Sequence, residues 1–307
     1  MTLMATMKAD KLKHFNFTFK AMGTLCEIQL FSEHPGKAKR LAKRIIADVE
    51  RLEAKYSRYR PESLLSQINL VAMAGGSIAI DDETAVLLNY AETCYLQSEG
   101  LFDITSGVLR RAWRFHAERL PTQQEIDPLL DLVGWHKLHW QASNLEFTQT
   151  GMELDFGGVV KEYAVDRAAT LCREADIKHG LINLGGDIRL VGPRGNGEPW
   201  IVGIEHPRHA GQVLLNLSVT RGALASSGDY QRCIVIDGVR YAHILNPKTG
   251  WPVKHLAAVS VISDFCVVAG SASTIAMLME ERGPDWLMDL GLPHLWVDVN
   301  GERGGDL

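Results

Sequence analysis

Residues 241 to 253, "YAHILNPKTGWPV", gather a titratable base and polar donors in a stretch ill-suited to a core strand. His243 has an unperturbed pKa of about 6.5, Asn246 and Lys248 add donors, and Pro247 fixes a rigid turn between them. Such a loop suits a ligand, although a lone histidine beside an apolar run also serves as a satisfied structural residue. A second stretch, "DFGGVVKEYAVDRA" (155 to 168), opens a helix with Gly157 and Gly158 and places Lys161 one turn later. Free backbone N–H groups at a helix start, followed by a lysine, match phosphate oxygens. Two further polar corners are Gly185-Gly186-Asp187 and "SSGDY" (226 to 230), which contains Asp229. Glycine there permits close approach of the backbone or simply a turn. Neither GxGxxG nor the Walker pattern is present.

The elements that must position these groups follow from periodicity. Phe15, Phe17 and Phe19 alternate with polar residues, and an apolar run from Leu25 to Phe31 continues beyond Met22-Gly23-Thr24, which predicts two strands and a turn. Leu41, Ile45, Val49 and Leu52 predict a long amphipathic helix from Pro35 to about Arg60. Helices are also expected over Thr84 to Ser98, over Gln123 to Leu132 with an interruption at Pro128, and from Ser106 after a loop-like start. Beyond residue 135 the chain reads as short strands separated by Gly and Asp-Gly turns. Helices interrupt it at Val159 to about Lys178, Cys266 to about Glu281 and near Asp285. "HLWVDV" is a last strand and "GERGGDL" a frayed end. The pattern is α+β, with mixed or antiparallel sheets packed against long helices, in one unit of two lobes spanning 1 to 307.

Composition narrows the partners. With 307 residues, 46% hydrophobic and 22% charged, the chain can bury a full core. A net charge of −5 offers no general attraction for nucleic acid or an anionic bilayer, so a small molecule or a protein is expected. Five scattered cysteines without CxxC fit reduced thiols rather than disulfides or zinc. No leader-like run opens the chain and no window reaches the ~20 apolar residues of a membrane span, so a cytoplasmic protein is expected.

Taken in order, "AMGT" (21 to 24), "SRY" with "SLLSQIN" (57 to 69), "FDITSG" (102 to 107), "DFGGVVKEYAVD", "INLGGDIRLVG", "WIVGIEHP" (200 to 207), "SSGDY", "HILNPKTG" and "VSVIS…AGSAST" (259 to 274) resemble the FAD:protein FMN transferase family, also called the ApbE family. The resemblance covers about residues 19 to 280 and implies the fold of that family. It also implies an activity: with Mg²⁺ at the pyrophosphate, FMN moves from FAD to a Thr or Ser hydroxyl of an acceptor flavoprotein and AMP is released. Carried over position by position, Met22, Tyr59, Leu101, Phe102, Asp103, Asp155, Lys161 and Leu245 would contact FAD. His243 would serve as base or orient the acceptor hydroxyl, with Asp229 as its rival, and Lys161 would stabilise the transition state.

The family's metal is held by a carbonyl equivalent to Gly158 and by a D-x-x-(D/S/A)-T pattern, which here reads Gly270-Ser271-Ala272-Ser273-Thr274. The first aspartate is therefore missing, while Mg²⁺ prefers at least one carboxylate. Glu162 stands where the family has glycine, so Gly158, Ser273, Thr274 and Glu162 are the candidate ligands. Two other activities use the same pocket: FAD binding without transfer, as a chaperone or sensor, and FAD hydrolysis with water as acceptor.

Overall fold

The computed structural model describes residues 12–115, 119–141, 143–230 and 232–307. The reading of the first eleven residues as leaderless lies outside them.

Alternation at residues 13 to 32 produces the expected hairpin. β1 (Lys13–Ala21) pairs antiparallel with β2 (Thr24–Ser32) across a two-residue turn in which Met22 and Gly23 take φ of 52° and 73°. Positive φ at both positions matches the right-handed strand twist, and Gly23 adopts it without a Cβ penalty. The remaining strands are β3 (Gly76–Ala79), β4 (Leu138–Gln141), β5 (Asn144–Phe147), β6 (Gly180–Leu184), β7 (Asp187–Gly192), β8 (Trp200–Glu205), β9 (Val213–Val219), β10 (Ala223–Gly228), β11 (Cys233–Ile236), β12 (Val239–Ala242), β13 (Leu256–Ser263), β14 (His294–Asp298) and β15 (Arg303–Gly305). Eight of them form an antiparallel sheet in the order β1-β2-β6-β7-β10-β13-β14-β15.

The helices are α1 (Pro35–Tyr56), α2 (Leu64–Ala74), α3 (Asp82–Gln97), α4 (Gln123–Leu130), α5 (Val160–Glu174), α6 (Cys266–Met279) and α7 (Gly283–Asp289). α1 begins with Pro35 in its first turn and buries Leu41, Ile45, Val49 and Leu52 at helical spacing. It packs over β1 and β2, α5 over β6 and β7, and α6 over β10 and β13, so three helices cross one face of the sheet side by side. A buried cluster including Ile28, Ile45, Leu52, Val165, Ile182, Val259 and Ile275 joins these layers. Burying each such side chain stabilises the fold by about 1.5–3 kcal/mol. The β8–β9 hairpin covers a second apolar cluster that includes Leu181, Leu190, Trp200 and Leu224. The α+β expectation holds.

Three local readings need correction. Pro128 lies inside α4 without interrupting it, in a helix of eight residues that a capping box of Thr122 and Glu125 starts. Residues 64 to 74 form α2, capped by Ser63 accepting from Ser66 N at 2.9 Å, a helix beyond those expected from periodicity. The C-terminal "GERGGDL" is not frayed: β15 adds to the sheet edge, and Asp306 N donates to the His294 carbonyl at 3.0 Å.

Asp166 joins the layers that carry the polar groups. From within α5 its carboxylate accepts from Cys266 N at 3.0 Å and Val267 N at 2.9 Å, the open first turn of α6, and pairs with Arg189 at 2.7 Å. A carboxylate there satisfies orphan donors and opposes the positive end of the helix dipole. The two helices are thereby held in fixed register.

Candidate functional site

A cavity of about 1050 Å³ opens where the first hairpin turn, the α5 start, the β10 end and the residues 243–245 meet. It is large enough for a dinucleotide-sized ligand. Met22, Tyr59, Leu101, Phe102, Asp103, Asp155, Gly158, Lys161, His243, Leu245 and Thr274 all line it, brought together from six separate parts of the chain. Asp229, Ser273 and Glu162 are buried but do not contribute to its wall.

The walls are held by groups the sequence did not single out. Arg58 Nη1 lies 2.8 Å and Arg110 Nη2 3.3 Å from Asp155 Oδ2, and Gly157 N donates to Asp155 Oδ1 at 2.9 Å. Burial would raise the Asp155 pKa, but the Arg110 and Arg58 charges outweigh it and hold the carboxyl below its usual range. Arginine pairing over 97 residues of sequence leaves no local signature. Met22 N donates to Glu53 Oε1 at 2.7 Å, which fixes the hairpin turn against α1. Asp103 Oδ1 accepts from Thr105 N and Oγ1 at 2.8 and 2.7 Å, and Oδ2 from Trp135 N at 3.1 Å, so this carboxylate is already engaged within the fold. Tyr59, 75% exposed at the rim, offers a free ring face beside Arg58, whose guanidinium lies 5.8 Å from its centroid.

The histidine loop is shaped from outside the cavity. Asn246 Oδ1 accepts from Lys248 N at 2.9 Å and its carbonyl from Gly250 N at 2.8 Å, while Trp113 Nε1 donates to the Gly250 carbonyl at 2.7 Å. Gly250 has φ of 73°, and a Cβ there would meet Ile126 at 2.3 Å, so only glycine fits. Asn246 therefore builds the turn, and neither it nor exposed Lys248 reaches the cavity. His243 does. Its Nδ1 is 3.1 Å from the Arg232 carbonyl, which only accepts, so the ring proton sits on Nδ1 and Nε2 keeps its lone pair. Burial, reinforced by the Arg110 charge, lowers the His243 pKa to about 4. The ring is neutral at ordinary pH, with the Nε2 lone pair free to accept a hydrogen bond.

Asp229 is placed differently. Arg208 grips it with Nη1 on Oδ1 at 2.6 Å and Nη2 on Oδ2 at 2.8 Å. A bidentate pair of this kind anchors the "HP" loop after β8 rather than presenting a free base.

The ApbE family model matches residues 22–296. The chain belongs to the ApbE family. It is 31% identical over 272 residues to a Vibrio cholerae FAD:protein FMN transferase, which covers 85% of this chain and 80% of that protein. A Rhodobacter capsulatus FAD:protein FMN transferase is 30% identical over 88% of this chain, which spans about half, 52%, of that relative's length. Among solved structures, the Thermotoga maritima ApbE protein superimposes with a TM-score of 0.87 at 29% identity, covering 96% of this chain and 97% of that one. The V. cholerae flavin transferase ApbE gives 0.86 at 27% identity over the same shares, 96% and 97%.

In this ApbE-family chain, Gly270 of α6 packs against Glu162 of α5. A Cβ on Gly270 would lie 2.5 Å from Glu162 Cγ and 3.2 Å from its Oε1, so the Glu162 side chain fills the volume that a residue at 270 would need. Lys161 Nζ is 2.7 Å from Asp187 Oδ2, a buried ion pair. Burial disfavours the ammonium, yet the Asp187 and Glu162 charges raise the Lys161 pKa above its ordinary value. Burial and the Asp187 charge push the Glu162 carboxyl well up. Ser227 Oγ, at the end of β10, is 2.9 Å from Ser273 Oγ and 2.8 Å from Thr274 Oγ1 in the middle of α6, a cluster of three hydroxyls. No group of three His, Cys, Asp or Glu side chains arranged for a metal occurs among the described residues, and no described helix is long and apolar enough to cross a membrane.

Proposed function

We propose that this chain takes FAD into the cavity and transfers its FMN moiety to a Thr or Ser hydroxyl of an acceptor flavoprotein, releasing AMP. The observation that carries the reading is the neutral His243, with Nε2 unprotonated, in one cavity with Lys161. The acceptor hydroxyl gives its proton to His243 Nε2 as its oxygen bonds to the FMN phosphorus. The bond from that phosphorus to the bridging oxygen breaks, and AMP leaves with the electron pair. In the transition state, charge develops on the non-bridging oxygens, where Lys161 and the backbone N–H groups around Gly158 stabilise it. Tyr59 and Phe102 supply ring surface for the flavin or the adenine.

A divalent cation at the pyrophosphate supplies further electrostatic stabilisation when bound, and Thr274 with the Gly158 carbonyl are its candidate ligands in the wall. Asp229, held by Arg208, shapes the site from behind.

Incubation of the purified chain with FAD and MgCl₂, with and without a flavoprotein acceptor domain, tests this reading. AMP together with flavin that stays on denatured acceptor is expected. AMP with free FMN would replace transfer by hydrolysis, and bound but intact FAD would leave only a flavin-binding role.

A further inference from the structure

Three arginines and two carboxylates meet at one wall of the cavity. Arg58 spans both acids, 2.8 Å from Asp155 Oδ2 and 3.0 Å from Glu153 Oε1. Arg111 Nε holds Glu153 Oε2 at 3.2 Å, and Arg110 Nη2 approaches Asp155 Oδ2 at 3.3 Å, its one ionic partner among the described residues. Two negative charges thus face three positive ones, and one positive charge is left over. Glu153 and Arg111 are not part of the wall, whereas Arg110 lines the cavity with 28% of its side chain exposed. The surplus charge is open to a ligand.

The backbone places Arg110 there. Ile104–Arg111 is a 3₁₀ helix, whose period of three aligns side chains at i and i+3. Ile104, Gly107 and Arg110 share one edge and all line the cavity, while Val108 and Leu109 are buried. Gly107 permits the close approach, since a Cβ there would lie 3.0 Å from Asp155 Cβ and 3.2 Å from its backbone N.

A second observation sets the sign of the missing partner. Arg110, Arg232 and Lys161, all in the wall, bring positive charge to bear on His243. An imidazole among three cations takes up a proton against their repulsion unless an anion lies between them. Phosphoryl oxygens carry that charge in FAD, and a guanidinium offers them paired N–H donors.

We propose that Arg110 binds a non-bridging phosphoryl oxygen of FAD on the side that faces His243, holding the reacting phosphorus between base and guanidinium. The identity of the ligand rests on the flavin transferase reading; the contact itself is to phosphate. Charge developing on these oxygens during transfer tightens the contact, so Arg110 acts in turnover as well as in binding.

Calorimetric titration of the full chain with FAD, ADP, riboflavin and adenosine tests the proposal, the last two being the halves of FAD without phosphate. Arg110→Met should raise the dissociation constants of FAD and ADP about tenfold or more and those of riboflavin and adenosine by no more than about twofold. Arg110→Lys keeps the charge without the paired donors and should show the same selectivity at a loss of about threefold, which carries the test if melting curves show the methionine variant unfolded. Arg111→Met removes an arginine from the same cluster but not from the wall, so FAD affinity should stay within about threefold. Equal losses for riboflavin or adenosine would reduce Arg110 to a support of Asp155 and overturn the proposal. Unchanged FAD affinity would overturn it as well, and an accompanying rise in the KM for the acceptor would assign the guanidinium to an acceptor carboxylate. Wild type that binds FAD and ADP through Arg110 without transferring FMN would remove the transferase reading and leave the contact intact. Wild type that binds neither would remove both.

Discussion

Gly270 and Glu162 occupy one volume: a Cβ on the glycine would stand 2.5 Å from Cγ of the glutamate. Their substitutions are coupled as a result. Gly270→Ala should destabilise the chain by about 1–3 kcal/mol in urea denaturation, the usual cost of overpacking. In a Glu162→Ala background the same change should be neutral or stabilising, since the gain of about 1 kcal/mol in helix propensity is then unopposed. Equal costs in the two backgrounds would show that the pair does not share space in solution.

Lys161 lines the cavity while pairing with Asp187. Lys161→Ala should weaken FAD binding by about 1.5–3 kcal/mol, the loss of one charge-assisted contact. Calorimetric titration with FAD measures this directly. An unchanged dissociation constant would confine Lys161 to holding Asp187.

His243→Ala should leave FAD affinity within a few-fold while lowering transfer by about 10² to 10⁴. Parallel losses in both would make the ring a structural part of the pocket. With its pKa lowered to about 4, the base remains neutral well below pH 6, so the acid limb of transfer attributable to His243 should fall only near pH 4. The same shift acts on stability. The unfolded chain binds this proton below about pH 6.5 whereas the folded chain resists it down to about pH 4, so stability falls with acidification between those values. Melting temperatures of wild type and His243→Gln should therefore converge as pH drops from 7 to 4.5.

Asp229 accepts both guanidinium nitrogens of Arg208 at 2.6 and 2.8 Å. Asp229→Asn should cost about 1–3 kcal/mol of stability by leaving a charged partner unmatched. Arg208→Met should cost a similar amount, with the double variant well below the sum. A transfer rate in Asp229→Asn that falls far more than FAD binding and stability do would instead restore this residue as the base.

Much of this molecule was legible from residue order alone. Alternating Phe15, Phe17 and Phe19 specify a half-buried strand because side chains point to opposite faces in turn. The run Leu41, Ile45, Val49, Leu52 specifies a helix face for the corresponding 3.6-residue reason. Asp237-Gly238, at φ of 51° and 77°, closes the β11–β12 hairpin as an Asp-Gly turn should. These are local rules, and the ordered motifs added the family. Helix α2 was missed because "LLSQINLVAMA" buries only Leu65, Ile68 and Ala72, so its apolar pattern is blurred by exposed Leu70 and Met73.

Only the tertiary structure could decide which polar residues face the cavity and which face one another. Asn246 and Lys248 looked as promising as His243, yet the turn consumes the asparagine and leaves the lysine in solvent. The side that Glu162 faces could not be read from order alone, since a carboxylate at one turn of an amphipathic helix has no preferred side until the neighbouring helix is in place. Burial at 7% exposure arises because α6 packs across that turn and Gly270 leaves the room. Arg58 and Arg110 converge on Asp155 from parts of the chain up to 97 residues away. Periodicity records which way a side chain points from its own backbone; it carries no information about what another element brings to the same point, and the charges, protonation and free space of this site are set there.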